Sequence, residues 1–440
     1  MSNTRRKFLE QSSTLAATAS AAWLFASEGN ADEKAKSDPN RLAVAVIGPG
    51  GMGMGHTNLL ATNSAVRVAY VCDVDEQRAA RAAETITKGS GQAPKIVKDM
   101  RQVFDDKEVK AVWIATPDHW HAPAAILAAN AGKHVYVEKP CSHNLREGRL
   151  MIEAARRNKC VVQMGTQTRS AAGIREAMEL LHGGAIGDIL VAKAWNSQRR
   201  GTIGKTQPGT PPAHLDFDSW LGPVPVVPFR SNMLPGIWRW WHDFGTGDMG
   251  NDGVHDLDVA RWGLGVQTHP SRICAMGGKY FFDDDMQWPD TQNVLFEYAP
   301  DAKGRTRQLI FEMRIWSPYV LEGHENGCAY YGTKGHMLLG KANGWKLYEG
   351  NKVVKEGPGG PDLPGHHADF FDCIASGARP RADIEIGHLS SSLCHLGNIA
   401  IRTGRMLRFD PKTEQIVGDA ESNKLVGRTY REHWATPKGA

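Results

Sequence analysis

The sequence has little of what marks nucleic-acid-binding or membrane-spanning proteins. Its 52 basic and 48 acidic residues give a net charge of +4, with no block of one sign. Such a balance argues against a nucleic-acid partner. Beyond the first thirty-odd residues, no run is long and apolar enough to cross a membrane. We therefore expect small-molecule chemistry without nucleic acid or membrane.

Paired cysteines are missing as well. The seven cysteines are odd in number and show no Cys-x-x-Cys spacing, so we expect buried thiols rather than disulfides or a zinc site. Tryptophan is abundant by contrast, with 13 residues, several of them between Trp195 and Trp262. Aromatic rings near a cleft often stack on sugars, although core packing explains any single ring equally well. Trp241 is our candidate for a substrate contact.

The N-terminal residues resemble an export signal. Thr4-Arg5-Arg6-Lys7-Phe8-Leu9 precedes an alanine-rich stretch from Ser13 to Ala26. Paired arginines before an apolar segment are typical of twin-arginine signal peptides. We predict a signal peptide at 1–31 and a periplasmic or secreted protein. This route exports folded proteins, often with a cofactor already bound.

The remaining chain predicts an α/β protein of two domains, 41–165 and 166–440. In the first, short strands alternate with amphipathic helices, as in a doubly wound parallel sheet. In the second, alternating strands indicate an α+β domain with a mostly antiparallel sheet. The Gly/Pro-rich segment 201–235 could form a wall or lid over the cleft. Predicted strands are 42–47, 66–72, 94–97, 110–115, 134–137, 160–164, 189–198, 271–281, 292–299, 306–315 and 345–349; predicted helices include 75–86, 145–157, 366–376 and 388–403.

A glycine turn follows the first strand. Gly48, Gly50 and Gly53 fit G-x-G-x-x-G, with Gly51 and Met52 inside the turn. These glycines allow a tight turn, close approach of a pyrophosphate and close helix packing. The pattern alone is weak in a chain with 47 glycines, but a second strand ends in Asp73, twenty positions after Gly53.

An acid at the position of Asp73 accepts hydrogen bonds from the ribose 2′-hydroxyl of NAD and repels the 2′-phosphate of NADP. Arg78 is near enough to soften that preference without reversing it. The alternative is that Asp73 caps the helix beginning near Asp75. We predict NAD as the cofactor, with NADP disfavoured.

Other strand ends should meet the same cleft, because ligands bind outside the carboxyl ends of parallel strands. Glu138-Lys139-Pro140 follows one strand, and Thr116, Pro117 and His121 follow another. Lys139 could hold a developing alkoxide; alternatively it pairs with Glu138 or contacts a phosphate. Gln167 and Arg169, after the sixth strand, are candidate substrate contacts. His119 and His121 could in principle ligate a metal, but we predict none.

A dense polar segment lies in the second domain. Asn251 and His255 are four apart and would share one face at the start of a helix. A histidine is suited to take a hydroxyl proton as hydride leaves the carbon, although a purely structural histidine is the alternative. Asn251 and Asp252 are candidate substrate contacts.

Together, Gly48–Gly53, Asp73, Glu138-Lys139-Pro140 and Gly247–Asp258 resemble the Gfo/Idh/MocA family, in an exported twin-arginine subgroup. The resemblance implies a Rossmann domain, a C-terminal α/β domain with an open sheet, and a homodimer or homotetramer. It implies Lys139 and His255 as catalytic residues acting with NAD(P) on a sugar or cyclitol. Many members have Asp-x-x-x-His, and Asn251 departs from this.

Three functions follow from the sequence. The first is hydride transfer between a tightly held NAD and a secondary hydroxyl or ketone of a sugar or cyclitol. The second is glycoside cleavage by transient oxidation, elimination and re-reduction. The third is a non-catalytic sugar-binding protein, which the presence of both Lys139 and His255 argues against.

Overall fold

The computed structural model describes residues 41–317 and 319–439. The signal peptide predicted at 1–31 lies outside these residues. Among the helices in the described ranges, none combines the length and apolar character needed to cross a bilayer.

The N-terminal domain is a Rossmann-type parallel sheet of six strands in the order β3-β2-β1-β4-β5-β6. Nearly continuous apolar strands fit this arrangement, since helices cover both faces of a parallel sheet. All six predicted strands are present, although the last begins two residues late. Their bounds are β1 Leu42–Ile47, β2 Val66–Cys72, β3 Lys95–Val97, β4 Ala111–Ile114, β5 His134–Val137 and β6 Val162–Met164.

The helices of this domain follow the strands along the chain. The helix predicted at 145–157 is present with the same bounds, whereas the helix predicted at 75–86 runs over Glu76–Ser90. It continues until Gly91, whose positive φ of 70° ends it. The helices are α1 Gly51–Thr62, α2 Glu76–Ser90, α3 Arg101–Asp105, α4 Asp118–Asn130 and α5 Leu145–Arg157.

The C-terminal domain is built on a ten-stranded sheet in the order β14-β13-β12-β11-β7-β10-β9-β8-β15-β16. Only β7 and β10 pair in parallel; the other pairs in the described residues are antiparallel. The strands are β7 Ile189–Asn196, β8 Arg272–Gly278, β9 Thr291–Tyr298, β10 Arg307–Arg314, β11 Asn326–Gly332, β12 His336–Gly340, β13 Gly344–Glu349, β14 Lys352–Gly357, β15 Leu407–Asp410 and β16 Gln415–Ile416.

Five of these strands were missed: β11, β12, β14, β15 and β16. β11 is buried over Asn326–Tyr330 and has no alternation there, whereas the charged β14 is almost wholly exposed at the sheet edge. β11 and β15 pair with the distant strands β7 and β8, whereas β12, β14 and β16 pair only with strands adjacent in the chain, so in these three it is the local pattern that is weak.

Helices cover one face of this sheet and form the larger core with it. Both predicted helices there begin earlier than expected, at Leu363 and Ile384, because Asp362 and Asp383 cap them. The helices are α6 Ala172–His182, α7 Phe217–Leu221, α8 Val254–Leu264, α9 Leu363–Ser376, α10 Ile384–Thr403 and α11 Ala420–Asn423.

Candidate active site

A cavity of 730 Å³ opens at the carboxyl ends of the Rossmann strands, where the strand order reverses between β1 and β4. This is the place at which open α/β sheets bind ligands. Its wall contains most of the residues predicted to bind a cofactor, and Asn251 from the second domain. The predicted residues on the wall are Gly48, Gly50, Gly51, Met52, Asp73, Thr116, Pro117, His121, Glu138 and Lys139.

At two positions of the glycine turn, close contacts leave no room for a side chain. Gly48 has a φ of +78°, and a Cβ there would lie 2.7 Å from the Thr116 nitrogen. A Cβ on Gly53 would lie 2.2 Å from the Gly48 carbonyl oxygen. Gly53 is not on the cavity wall, so it lets α1 pack against the turn and does not face a ligand. Both contacts are internal to the protein, so these two glycines are needed for the turn to pack against the end of β4 and against α1.

Asp73 faces the cavity at the end of β2. Its carboxylate accepts a hydrogen bond from the Asp75 N–H at 2.9 Å, and burial raises its pKa to about 6. The helix cap is Asp75, whose side chain accepts from the Gln77 and Arg78 N–H groups. Asp73 is therefore not the cap and is available to a ribose hydroxyl.

Lys139 follows β5 and lies half-buried in the cavity wall. Its Nζ donates to the Asn251 carbonyl oxygen at 2.5 Å, which joins the two domains at the candidate active site. Glu138 does not pair with this ammonium group. Its buried carboxylate lies 3.0 Å from His56 Nε2 and accepts the Lys139 N–H at 3.1 Å. Despite burial, these partners lower the Glu138 pKa to about 2.

A π-helical turn, Met249–Gly253, leads into α8 and separates Asn251 from His255. Such turns are frequent at functional sites. His255 is 9% exposed and lies off the cavity wall, and its Nδ1 has no hydrogen-bond partner among the residues that the structure describes. Burial, and then the cations Lys341 and Lys139, hold its pKa well below the usual value. The imidazole is therefore neutral near pH 7.

A charged cluster that we did not predict surrounds the π-turn. Asn251 donates to Asp248 at 2.7 Å, and Arg200 contacts both Asp248 and Asp252. Lys341 pairs with Asp252 at 3.0 Å. Asp248 belongs to the polar segment 247–258 of the sequence analysis, and Arg200 follows the end of β7. The positions of these two residues in the sequence could therefore have suggested them as members of the cluster. No local signal marks Lys341, because β12 brings it in from far along the chain.

Four residues predicted as substrate contacts do not line the cavity and instead contact other groups of the protein. Arg169 forms a buried bidentate ion pair with Asp258, at 2.7 and 2.8 Å. Gln167 donates to Glu138 and Tyr136. Buried polar groups need local partners, and both residues have them within the protein. Substrate contact by Arg169 and Gln167 stays a prediction.

The other two are Trp241 and Asp252. Trp241 donates its Nε1–H to the Asn232 carbonyl at 3.1 Å and packs against a small apolar cluster. Asp252 is held by two cations, and they lower its pKa despite burial. Neither lies on the cavity wall, and substrate contact by either residue stays a prediction.

The Gly/Pro-rich segment 201–235 forms part of the cavity wall, with Leu215, Trp220 and Phe229 among its contributions. The His214 carbonyl accepts from the Glu76 N–H at 3.0 Å, and the Asp216 N–H donates to the Val74 carbonyl at 3.0 Å. The segment thus reaches over the cleft and attaches beside Asp73. We call residues 201–235 the strap.

The candidate metal ligands make ordinary hydrogen bonds. His119 contacts the Trp220 carbonyl at 2.9 Å, and His121 contacts the Pro140 and Thr116 carbonyls. Elsewhere in the described residues, His269, His388 and Glu414 bring possible ligand atoms within 4.8 Å of one another. Both imidazoles contact Glu414, and Arg149 pairs with the same carboxylate. A guanidinium group at this carboxylate opposes a cation.

The family is shown by comparison with known proteins. Residues 42–166 match the model of the Gfo/Idh/MocA oxidoreductase family's NAD-binding Rossmann fold, and residues 192–436 match the model of its C-terminal alpha/beta domain.

Among curated proteins, an inositol 2-dehydrogenase 2 of Saccharopolyspora erythraea is 32% identical over 57% of this chain and 63% of its own length. A glycosyl hydrolase family 109 protein of Streptomyces niveus is 26% identical, over 63% of this chain and 55% of its own length. The chain thus spans less than two thirds of both relatives.

A solved structure of levoglucosan dehydrogenase, in complex with NADH and levoglucosan, has the same fold. The TM-score is 0.64 at 20% identity, covering 83% of this chain and 99% of that one. Taken with the glycine turn, Asp73 and the two sheets, these matches show that the chain belongs to the Gfo/Idh/MocA family of NAD-binding oxidoreductases.

Proposed function

We propose that this protein transfers a hydride between NAD and a secondary hydroxyl or ketone of a sugar or cyclitol. The observation that carries the proposal is Lys139 in the wall of the dinucleotide cavity, bonded across the domains to the π-turn before His255. The names of the inositol and levoglucosan dehydrogenases support a polyhydroxylated substrate.

Lys139 and His255 have complementary roles in this proposal. A substrate oxygen that replaces the Asn251 carbonyl as the partner of Lys139 Nζ would have its developing negative charge stabilised by the ammonium group. Neutral His255, with Nδ1 unpartnered, accepts the hydroxyl proton in oxidation and returns it in reduction. NAD, when bound, supplies the hydride acceptor.

We further propose that the cofactor is held tightly and exported with the folded protein. The strap supports this, because it is hydrogen-bonded to residues 74 and 76 beside Asp73. The twin-arginine motif at Arg5 and Arg6 supports export to the periplasm or beyond. A bound nucleotide would explain how the enzyme works where free NAD is scarce.

Assembly into a dimer or tetramer is also proposed, through the open face of the ten-stranded sheet. Met276 on β8 and Leu295 on β9 are 76% and 41% exposed. Exposed apolar side chains on one sheet face are typical of an interface. Light scattering measures the oligomeric state of the wild type and of a Met276→Glu/Leu295→Glu variant. We expect an oligomeric wild type and a dissociated variant, and a monomeric wild type would contradict the proposal.

The function is tested by denaturing the purified mature protein and measuring released NAD(H) by absorbance and mass spectrometry. Turnover is then followed with a panel of sugars and cyclitols. We expect near-stoichiometric nucleotide, and Lys139→Ala and His255→Ala should each lower kcat by about 10²-fold or more. Unchanged turnover in both variants would contradict the assigned roles, and absence of NAD binding would contradict the function.

A second candidate is glycoside cleavage through a transient ketone, with no net change in the cofactor. The similarity to a glycosyl hydrolase family 109 protein favours it, although that relative is only 26% identical. The products separate the two functions. Net NADH from a free sugar supports the dehydrogenase, whereas release of an aglycone without net NADH supports the hydrolase.

A further inference from the structure

A second cavity, of 300 Å³, lies on the other side of the loop between Trp240 and Thr246. Thr246 lies on its wall, and the Thr246 hydroxyl donates a hydrogen bond at 2.7 Å to Asp118, which lines the nucleotide cavity. His143 lies on the wall as well, four residues after Lys139. The second cavity therefore shares a wall with the candidate active site but is separate from it.

The charge of this wall is strongly positive. Arg402, Lys424 and Arg428 line it, and the one carboxylate among its lining residues belongs to Asp243, which is exposed. The side chains of Arg402 and Lys424 form no ion pair or hydrogen bond within the part of the chain that the structure describes. Three cations that face one exposed carboxylate at a concave surface favour an anionic ligand.

Arg428 is the cation set deepest. Its Nη2 donates to the Asp243 carbonyl oxygen at 3.0 Å, whereas its Nη1 is buried without a partner. Behind the wall, the Glu147 carboxylate accepts hydrogen bonds from the Tyr430 hydroxyl at 2.8 Å and from the His143 N–H at 3.1 Å. A buried guanidinium donor without a partner costs free energy, and that cost is removed when an acceptor arrives.

Further polar and aromatic groups complete the wall. His143 Nδ1 and His242 Nε2 are also buried without partners. The Trp288 ring lies 4.4 Å from the His242 ring and 5.8 Å from the Arg402 guanidinium carbon, so it restrains both side chains. Several polar lining atoms thus lack partners in the described residues, and Trp288 restrains two of the side chains, as expected of a site that is formed before its ligand binds.

We propose that this cavity binds a small oxyanion, a phosphate or carboxylate group, through Arg402, Lys424 and Arg428. Guanidinium groups match both anions in geometry and charge. The volume excludes a dinucleotide and admits a free anion or the acidic group of a small metabolite. The proposal does not depend on the function proposed above, because none of these three cations lies in the nucleotide cavity.

The test uses the mature protein saturated with NADH, so that the pyrophosphate site is filled. Inorganic phosphate and, separately, malonate are titrated at constant ionic strength against chloride, with binding followed by calorimetry and by melting temperature. Saturable binding of at least one anion is expected. Phosphate alone would indicate a phosphorylated ligand, malonate alone a carboxylate, and both a general oxyanion site.

Variants locate the binding. Arg402→Gln/Lys424→Gln should weaken it at least roughly tenfold, since hydrogen bonds to charged groups are lost. Arg428→Gln should do the same while keeping a donor for Asp243. Lys346→Gln, an exposed lysine on β13, is the matched control and should bind normally. Absence of saturable binding, or unchanged binding in both cavity variants, would overturn the proposal.

Discussion

The imidazole of His56 on α1 lies 3.0 Å from the carboxylate of Glu138, the residue before Lys139, and both side chains are buried. The second ring nitrogen of His56 lies 2.8 Å from His367 Nε2, which also accepts from Trp113 Nε1 at 3.3 Å. His56 thus connects the Glu138 carboxylate, whose pKa is lowered to about 2, with His367 in a buried hydrogen-bonded chain directly behind Lys139.

Replacing His56 by glutamine should be severely destabilising. Removing one member of a buried ion pair leaves an uncompensated charge, which typically costs about 3–5 kcal/mol. The free energy of unfolding in urea measures this, with Arg67→Gln as the control. The Arg67–Glu108 pair lies at the surface, so its loss should cost within about 1 kcal/mol. Equal effects in the two variants would contradict a stabilising contact between His56 and the buried Glu138 carboxylate.

Asn251→Asp should impair the protein, even though many family members have an acid here. Asn251 Nδ2 donates to Asp248 at 2.7 Å, and an aspartate would place two carboxylates together. We expect a lower kcat and a loss of about 1–3 kcal/mol in stability. Steady-state kinetics and thermal unfolding check this, with Asn343→Asp as the exposed control. Higher activity would show that the acid is preferred after all.

Preference for NAD over NADP should increase from pH 5 to pH 7.5. The pKa of Asp73 is about 6, so the carboxylate carries its full charge only above that value and then repels a 2′-phosphate. The phosphate gains charge over the same range, which acts in the same direction. Affinities for NADH and NADPH measured across pH check this. In the Asp73→Asn variant, the ratio of the NADH and NADPH affinities should change less with pH. A change equal to that of the wild type would contradict a role of Asp73 in cofactor selectivity.

Asp216→Pro should release the cofactor faster. Proline removes the N–H that donates to the Val74 carbonyl and fits the extended backbone of residue 216. One lost hydrogen bond of about 1 kcal/mol corresponds to roughly fivefold faster NADH dissociation, measurable by stopped-flow fluorescence. Asp216→Asn keeps both the N–H and the cap of α7 and should leave the rate unchanged. The same rate in both variants would contradict a restraining strap.

Stability should decrease as the pH falls from 6.5 towards 3. Burial lowers the pKa of His119, His367 and His395 to about 3, so the unfolded chain takes up protons in this range and the folded protein does not. Each such histidine contributes up to about 1.4 kcal/mol per pH unit. Unfolding free energies from pH 7.5 to 4.5 measure the slope. His119→Gln should lower the slope by up to about 1.4 kcal/mol per pH unit, the contribution of one proton.

The first domain could be predicted almost completely from local patterns. Its strands are apolar on both faces and bounded by turns, so all six were visible, and the glycines lie where a crossover must pass close to β4. The second domain was only partly visible. β11 depends on the distant strand β7, and β14 is a charged, exposed edge strand, and the residues of neither strand alternate.

The sequence by itself therefore determined the nucleotide fold and the positions of Asp73 and Lys139, because the carboxyl ends of parallel strands meet at one edge. Only the tertiary structure decided which polar residues are free. It pairs Arg169 with Asp258, surrounds Asn251 with Asp248 and Arg200, and gathers Arg402, Lys424 and Arg428 around a second cavity. Hydrogen-bond and ion partners are chosen in three dimensions, so local sequence cannot reveal which donors are satisfied.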